Sequence, residues 1–306
     1  MRKADKPWAL FVSFVAPHFP LTAPPEPYYR YFNQELPLPK QYAREQRPRH
    51  PYLVDYSNNF NYDDHFKSLD DVKKALAGYF GLVSYLDENV GKVLATLRDA
   101  GLEDDTVVMY TSDHGDNLGA RGLWGKSTMY EEVAGVPLIM AGAGVPAGKR
   151  VDTPVSHVDA FPTLLEVAGE SMPPGYPGVS LIDVAHGAHP ARAVLSEYHG
   201  MGSSTGVFAI RMDRWKYVHY VNYPAQLFDL VEDPEELFDV ATDAAYADVL
   251  EQCRRALFAI CDPNEVDRRA RARQAELIAL NGGREAVIER GDFGFTPAPG
   301  TVADFQ

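Results

Sequence analysis

VVMYTSDHGDNLGARGLWGKSTMYEEVAGVPLIM, residues 107–140, is an apolar run, then a loop dense in Asp, His, Lys and Gly, then a second apolar run. TVVMYTS reads as a fully buried strand, and VPLIMAGAG from Val136 reads as another. Asp113 and His114 follow the first strand directly, which places them at its carboxyl end, where open α/β sheets gather their ligands. Carboxylate beside imidazole is a metal-ligand pairing. Gly115, Gly119, Gly122 and Gly125 let the backbone bend tightly and approach a ligand. Taken alone, Asp-His-Gly also reads as a strand-ending turn; the residues after it make the pattern specific.

Outward from this stretch, Leu76, Phe80, Val83, Leu86, Val90, Val93, Leu94 and Leu97 recur at helical spacing over 72–100, with Gly101 as the stop. A helix feeding a buried strand predicts a mostly parallel sheet flanked by helices, an α/β fold. WALFVSFVA, residues 8–16, reads as a further buried strand closed by Pro17, and the prolines at 20, 24, 25 and 27 forbid a helix immediately after it. Residues 33–68, rich in Pro, Asn, Tyr and charge, read as a long surface excursion. HVDAFPTLLEVAG reads as a short helix capped by Asp159 and closed by Gly169.

Beyond the PPGYPG turn the pattern changes. RAVLSEY, GVFAIRM, WKYVHYV and QLFDL are short strands between turn residues, a small antiparallel sheet. Helical stretches follow at 244–260 and 264–280, and the tail from Asn281 shows little periodicity. The expected division is an α/β domain over 1–190 and a smaller α+β subdomain over 191–306.

The 306 residues carry 43 acidic against 29 basic side chains, a net charge of -14 without a basic cluster, which excludes nucleic acid and anionic membrane as expected partners. An anionic substrate then needs a local positive site. Cys253 and Cys261 lie on a helical stretch with about 12 Å of rise between them, too far for a disulfide. MRKADKPWALFVSFVA imitates a signal peptide, but Asp5 interrupts its basic region and the short β-branched and aromatic run suits a strand. No segment reaches the length of a membrane span. The expected location is cytoplasmic, with a homo-oligomer possible.

TSDHGDNLGARGLWGKSTMYEEVAGVPLIM, FVAPHFPLTAP and HVDAFPTLLEVAG together resemble the sulfatase family of the alkaline phosphatase superfamily, and the resemblance runs on through QLFDLVEDPEELFD. Asp-His, where many members carry Asp-Asn, is similar to the choline sulfatase and phosphonate monoester hydrolase branches. The resemblance implies an alkaline phosphatase-like fold and hydrolysis of a small sulfate ester. It also implies a divalent metal, usually Ca2+ with Mn2+ or Mg2+ as alternatives, held in part by Asp113 and His114. Lys126 and His18 match the cations that hold the sulfate and protonate the leaving oxygen, and His199 in SEYHGMGSST is expected to face the substrate. Alone, His18 reads as a turn histidine, Lys126 as a solvated cation and His199 as a loop histidine. The chemistry fits them jointly, because charge builds on the leaving and bridging oxygens as a sulfate ester breaks. Glu131 and Glu132 read as first-turn carboxylates of the next helix, and Trp215, Tyr217, His219 and Tyr220 as strand packing.

The family nucleophile is a formylglycine made from C/S-x-P-x-R, and no such stretch occurs in these residues. Cys261-Asp262-Pro263-Asn264-Glu265 ends in Glu and runs into a helix, so it is a decoy. Asp63-Asp64, Asp70-Asp71 and Asp104-Asp105 each lack the preceding apolar strand of the family's early metal pair. The expectation is therefore a chain corresponding to the C-terminal two thirds of a sulfatase, with apolar surface exposed where the first strands would pack. The rival readings are a phosphodiesterase or phosphonate monoester hydrolase of the same superfamily, and a noncatalytic anion-binding remnant.

Overall fold

A computed structural model describes residues 8–189 and 192–291; the basic start of the signal-like segment and the tail after 291 lie outside them. In chain order the elements are α1 (Pro25–Phe32), α2 (Pro51–Asn59), α3 (Leu69–Asp99), β1 (Val108–Thr111), α4 (Glu131–Ala134), β2 (Leu138–Ala141), α5 (Ala160–Val167) and α6 (Leu181–His186). Then come β3 (Val194–Tyr198), β4 (Val207–Met212), β5 (Trp215–Tyr220), β6 (Gln226–Asp229), α7 (Ala247–Ile260), α8 (Pro263–Leu280) and α9 (Arg284–Arg290).

The long helix forms as its spacing predicts. Ser68 caps α3 by accepting from Asp71 N, and Gly101, at φ 65°, ends it. The Cβ of any residue at position 78 would meet Leu21 O at 2.3 Å, so Gly78 lets the chain before α1 lie directly on α3. The small antiparallel sheet also forms as expected, in the order β3-β4-β5-β6, with α7 packed on β4 and β5. The helix after HVD is capped differently from expectation. Ser156 heads a capping box with Asp159, whose carboxylate accepts from Ser156 N and Val179 N and pairs with Arg192.

Three expectations need correction. Among the described residues β1 pairs with β2 antiparallel, Val108 opposite Ala141, rather than in a parallel sheet. The reason is connectivity: residues 112–137 return the chain beside β1 as a long hairpin, and no described strand precedes α3 to complete a βαβ crossover. Second, the two strands are not fully buried; Ile139 is 62% exposed. Third, residues 8–16 form no strand, and Leu10, Phe11 and Val15 are 70%, 90% and 80% exposed, because an isolated extended segment has no neighbour to complete a ladder.

The 33–68 excursion is more than surface. Tyr52, Leu53 and Tyr56 of α2 are buried in one cluster with Leu123, Met129 and Tyr130 of the polar loop and with Val207, Ala209, Val218, Tyr220 and Phe228 of the four-stranded sheet. This cluster draws on both sides of residue 190 and ties the loop after β1 to the C-terminal sheet. No described helix is long and apolar enough to cross a membrane.

Candidate active site

The chain leaves β1 through Ser112, whose hydroxyl donates to His114 O at 2.8 Å while His157 Nε2 meets Ser112 O at 2.8 Å. Gly115 follows because nothing larger fits: a Cβ there would lie 2.0 Å from Glu132 O. Its N–H donates to Val133 O, which fixes the start of the loop. His114 then projects Nε2 toward Lys126 Nζ at 3.0 Å. His18, in the turn that His18 N closes onto Val15 O, presents Nε2 to the same ammonium, also at 3.0 Å. The two rings lie 6.0 Å apart between centroids.

The hydrogen bonds assign the tautomers. His18 Nδ1 lies 2.8 Å from Phe19 O and His114 Nδ1 2.8 Å from Gly115 O; a carbonyl only accepts, so each Nδ1 carries a proton. In a neutral ring Nε2 is then an acceptor. Lys126 is the donor to both imidazoles, which leaves one of its three N–H groups for another partner.

The loop between these ends is pinned by its own side chains. Asp116 Oδ1 accepts from Leu118 N at 2.8 Å and Gly125 N at 2.9 Å, and burial pushes its carboxyl above the usual range. Asn117, fully buried, donates from its backbone and its amide to Gly125 O, and accepts from the Thr128 hydroxyl. Tyr56 donates to Lys126 O at 3.1 Å. Gly125 and Ser127, on either side of Lys126, adopt φ of 66° and 86°.

Glu131 and Glu132 are not simply first-turn carboxylates. Glu131 pairs with buried Lys216 at 2.7 Å, and Glu132 with Arg121 at 3.1 Å and Lys40 at 2.8 Å. Burial pushes the Glu132 carboxyl up, but Arg121 and Lys40 outweigh it and hold it below the usual range. The cap of α4 comes from Glu236, whose Oε2 accepts from Glu131 N. Arg121 stacks its guanidinium 3.6 Å over the Tyr130 ring and donates to Glu235 O and Glu236 O.

His18, His114 and Lys126 therefore meet, with Asp113 alongside: its Oδ2 is 3.6 Å from His114 Nε2 and its side chain is 87% exposed. His199 packs edge-on to Phe208, with its backbone oxygen held by Gln274 of α8. Sequence reasoning missed Tyr56, Asp116, Asn117 and Arg121. Asx residues inside a glycine-rich turn are a local signal for the middle two; the others have none.

The family implies a divalent cation. The described residues hold no group of three or more His, Cys, Asp and Glu side chains able to bind one. Asp113 and His114 are two donors, and the His114 Nε2 lone pair that would meet a metal is engaged by Lys126. The residues present do not make a cation site by themselves.

The profile of the family described as Sulfatase matches residues 1–170, and that of N-sulphoglucosamine sulphohydrolase, C-terminal, matches residues 119–262. The chain is 38% identical over 242 residues to a choline-sulfatase of Rhizobium meliloti, covering 78% of this chain and 47% of that protein. It is 38% identical over 225 residues to arylsulfatase K of Danio rerio, covering 70% and 42%. The chain thus spans about half the length of the curated relatives it matches. Among solved structures, a phosphonate monoester hydrolase of Agrobacterium radiobacter superposes with a TM-score of 0.71 at 29% identity, over 84% of this chain and 57% of that one. With its profile matched over more than half of the residues and a shared fold beneath the polar loop, the chain belongs to the sulfatase family.

Proposed function

We propose that this chain supplies the sulfate-gripping and leaving-oxygen side of a sulfuric ester hydrolase. The observation that carries the reading is Lys126 Nζ, 3.0 Å from two imidazole nitrogens that both act as acceptors. An ammonium fixed in this way directs its remaining N–H at an ester oxygen without reorganising when charge develops there. As a nucleophile that these residues do not supply bonds to sulfur and the S–O bond breaks, the electron pair stays on the leaving oxygen, which takes a proton from Lys126; the neutral amine left behind keeps two N–H groups, and His18 and His114, acceptors in this tautomer, hold it in place. By family membership Asp113 and His114 would be two of the ligands of a divalent cation, calcium or manganese, and His114 Nε2 would have to exchange its contact with Lys126 for the metal. His199 is assigned to the substrate side on resemblance alone.

The nucleophile is the missing component, since no C/S-x-P-x-R stretch occurs here. The test has two arms. Sulfate ion titrated into the chain is expected to shift the Nε2 resonances of His18 and His114, and Lys126→Met is expected to abolish the shift. In a p-nitrophenyl sulfate assay with calcium or manganese, the chain alone is expected to turn over no faster than Asp113→Ala. Absence of any sulfate-dependent shift would defeat the reading.

A second reading, hydrolysis of a phosphonate monoester, is favoured by the similarity to the Agrobacterium radiobacter enzyme. Tighter binding of phenyl phosphonate than of phenyl sulfate selects it.

A further inference from the structure

We infer that Asp116 is the positioning residue for Lys126, and that it acts as a hydrogen-bond acceptor rather than as a charge. The inference rests on the reading of Lys126 as the group that grips the sulfate. Residues 116–125 cannot hold their own shape: Leu118, Gly119, Arg121, Gly122 and Gly125 all have positive φ, from 47° to 86°. For Leu118 and Arg121 this conformation carries a steric cost that something must offset.

The offset is concentrated where the loop closes. Asp116 Oδ1 takes the N–H of Leu118 and of Gly125, joining the first turn of the loop to its last residue. Asn117 takes the other side of the same residue, donating twice to Gly125 O. Tyr56 then takes Lys126 O from across the core. Three backbone groups of two adjacent residues, Gly125 N, Gly125 O and Lys126 O, are thus each fixed by a named partner where the Lys126 side chain departs. A lysine stem has enough rotamers that a fixed backbone origin decides whether its ammonium reaches both imidazoles. Among the described contacts Asp116 makes no hydrogen bond to Lys126 Nζ, His18 or His114, and it reaches the two imidazoles only through its field, which the Asn variant removes while keeping the acceptor.

A loop staple with no functional consequence predicts lower stability and nothing more. A positioning residue predicts loss of the Lys126–imidazole geometry, restored by any side chain that keeps an acceptor at Oδ1. The experiment uses the full chain labelled with 15N-histidine, reads the Nε2 shifts of His18 and His114, and titrates sodium sulfate. Asp116→Ala is expected to move both Nε2 resonances toward those of Lys126→Met and to weaken sulfate binding by roughly tenfold or more, as loss of a supporting partner behind a ligand typically does. Asp116→Asn is expected to keep both shifts and to bind sulfate within about threefold of the parent, since the amide oxygen still accepts. Unchanged Nε2 shifts in Asp116→Ala overturn the inference. Loss of the shifts in Asp116→Asn overturns the acceptor role, and that variant decides alone if the alanine chain does not fold. If the parent chain does not bind sulfate, the hydrolase reading fails, while the Nε2 shifts still decide the position of Lys126.

Discussion

Lys126 Nζ lies 3.0 Å from His18 Nε2, a contact between loops 108 residues apart. Neither residue reaches the other through a shared strand. His18 arrives on a turn three residues before Leu21, which lies on α3, and Lys126 is brought back toward β1 by a loop that Asp116, Asn117 and Tyr56 hold closed. The cluster of Lys126 with two imidazoles is thus built from loops, supported by a long helix on one side and the C-terminal sheet on the other.

If the ammonium and the imidazole act as one unit, their effects on anion binding are not additive. A double-mutant cycle of His18→Ala and Lys126→Met, read as sulfate affinity, is expected to give a coupling of about 0.5–3 kcal/mol. Strict additivity means the two groups grip the anion independently.

Lys216 is 3% exposed in its side chain and sits 2.7 Å from Glu131 and 2.9 Å from Glu236, itself buried. Burial already pushes the Glu236 carboxyl above its usual range, with Lys216 opposing. Lys216→Met leaves that carboxylate without its cation and is expected to cost about 3–5 kcal/mol in urea unfolding at neutral pH. Adding Glu236→Gln is expected to recover part of the loss; a double variant as unstable as the sum of the two singles refutes the pairing.

The sequence made legible what has a local period or a local stop. The 69–99 helix, the four antiparallel strands and the departure of Asp113 and His114 from β1 all follow from spacing and glycine placement. The strand at 8–16 and the parallel sheet were misread because a buried-looking apolar run specifies no neighbour, and pairing is a property of the partner strand. The Arg121–Glu132 and Lys216–Glu236 pairs were out of reach for a similar reason: an ion pair leaves no mark near either residue.

Burial keeps both thiols of the chain protonated, and at Cys253 that has a chemical test. Burial pushes the Cys261 thiol up, with Glu197 and Asp262 adding to it, and burial alone pushes Cys253 up to about 11. A thiol with a raised pKa is a poor nucleophile at neutral pH. Cys253, fully buried among Phe208, Ile210 and Leu257, is expected to resist iodoacetamide at pH 8 until the chain unfolds globally. Mass spectrometry of the alkylated peptides checks this, and rapid native labelling of Cys253 would contradict the packing of α7.

Asp63 belongs to the excursion that carries α2, and Arg47 grips it with two hydrogen bonds of 2.9 Å. Those bonds, with help from Arg44 and against the opposing effect of burial, hold its carboxyl below the usual aspartate range. A folded-state pKa below the unfolded one gives stability that is fully present above the unfolded value, near pH 4, and is lost as pH falls through the folded value. Asp63→Asn is therefore expected to lower Tm at pH 7 and to leave a shallower loss of Tm between about pH 4 and pH 2 than the parent shows. Arg47 also lies against Gly122, where a Cβ would meet its guanidinium at 2.2 Å, so the same pair braces the loop that carries Lys126. Differential scanning calorimetry across that range measures both effects. Parallel acid limbs for the parent and Asp63→Asn would show that the Arg47 contact contributes nothing to folding.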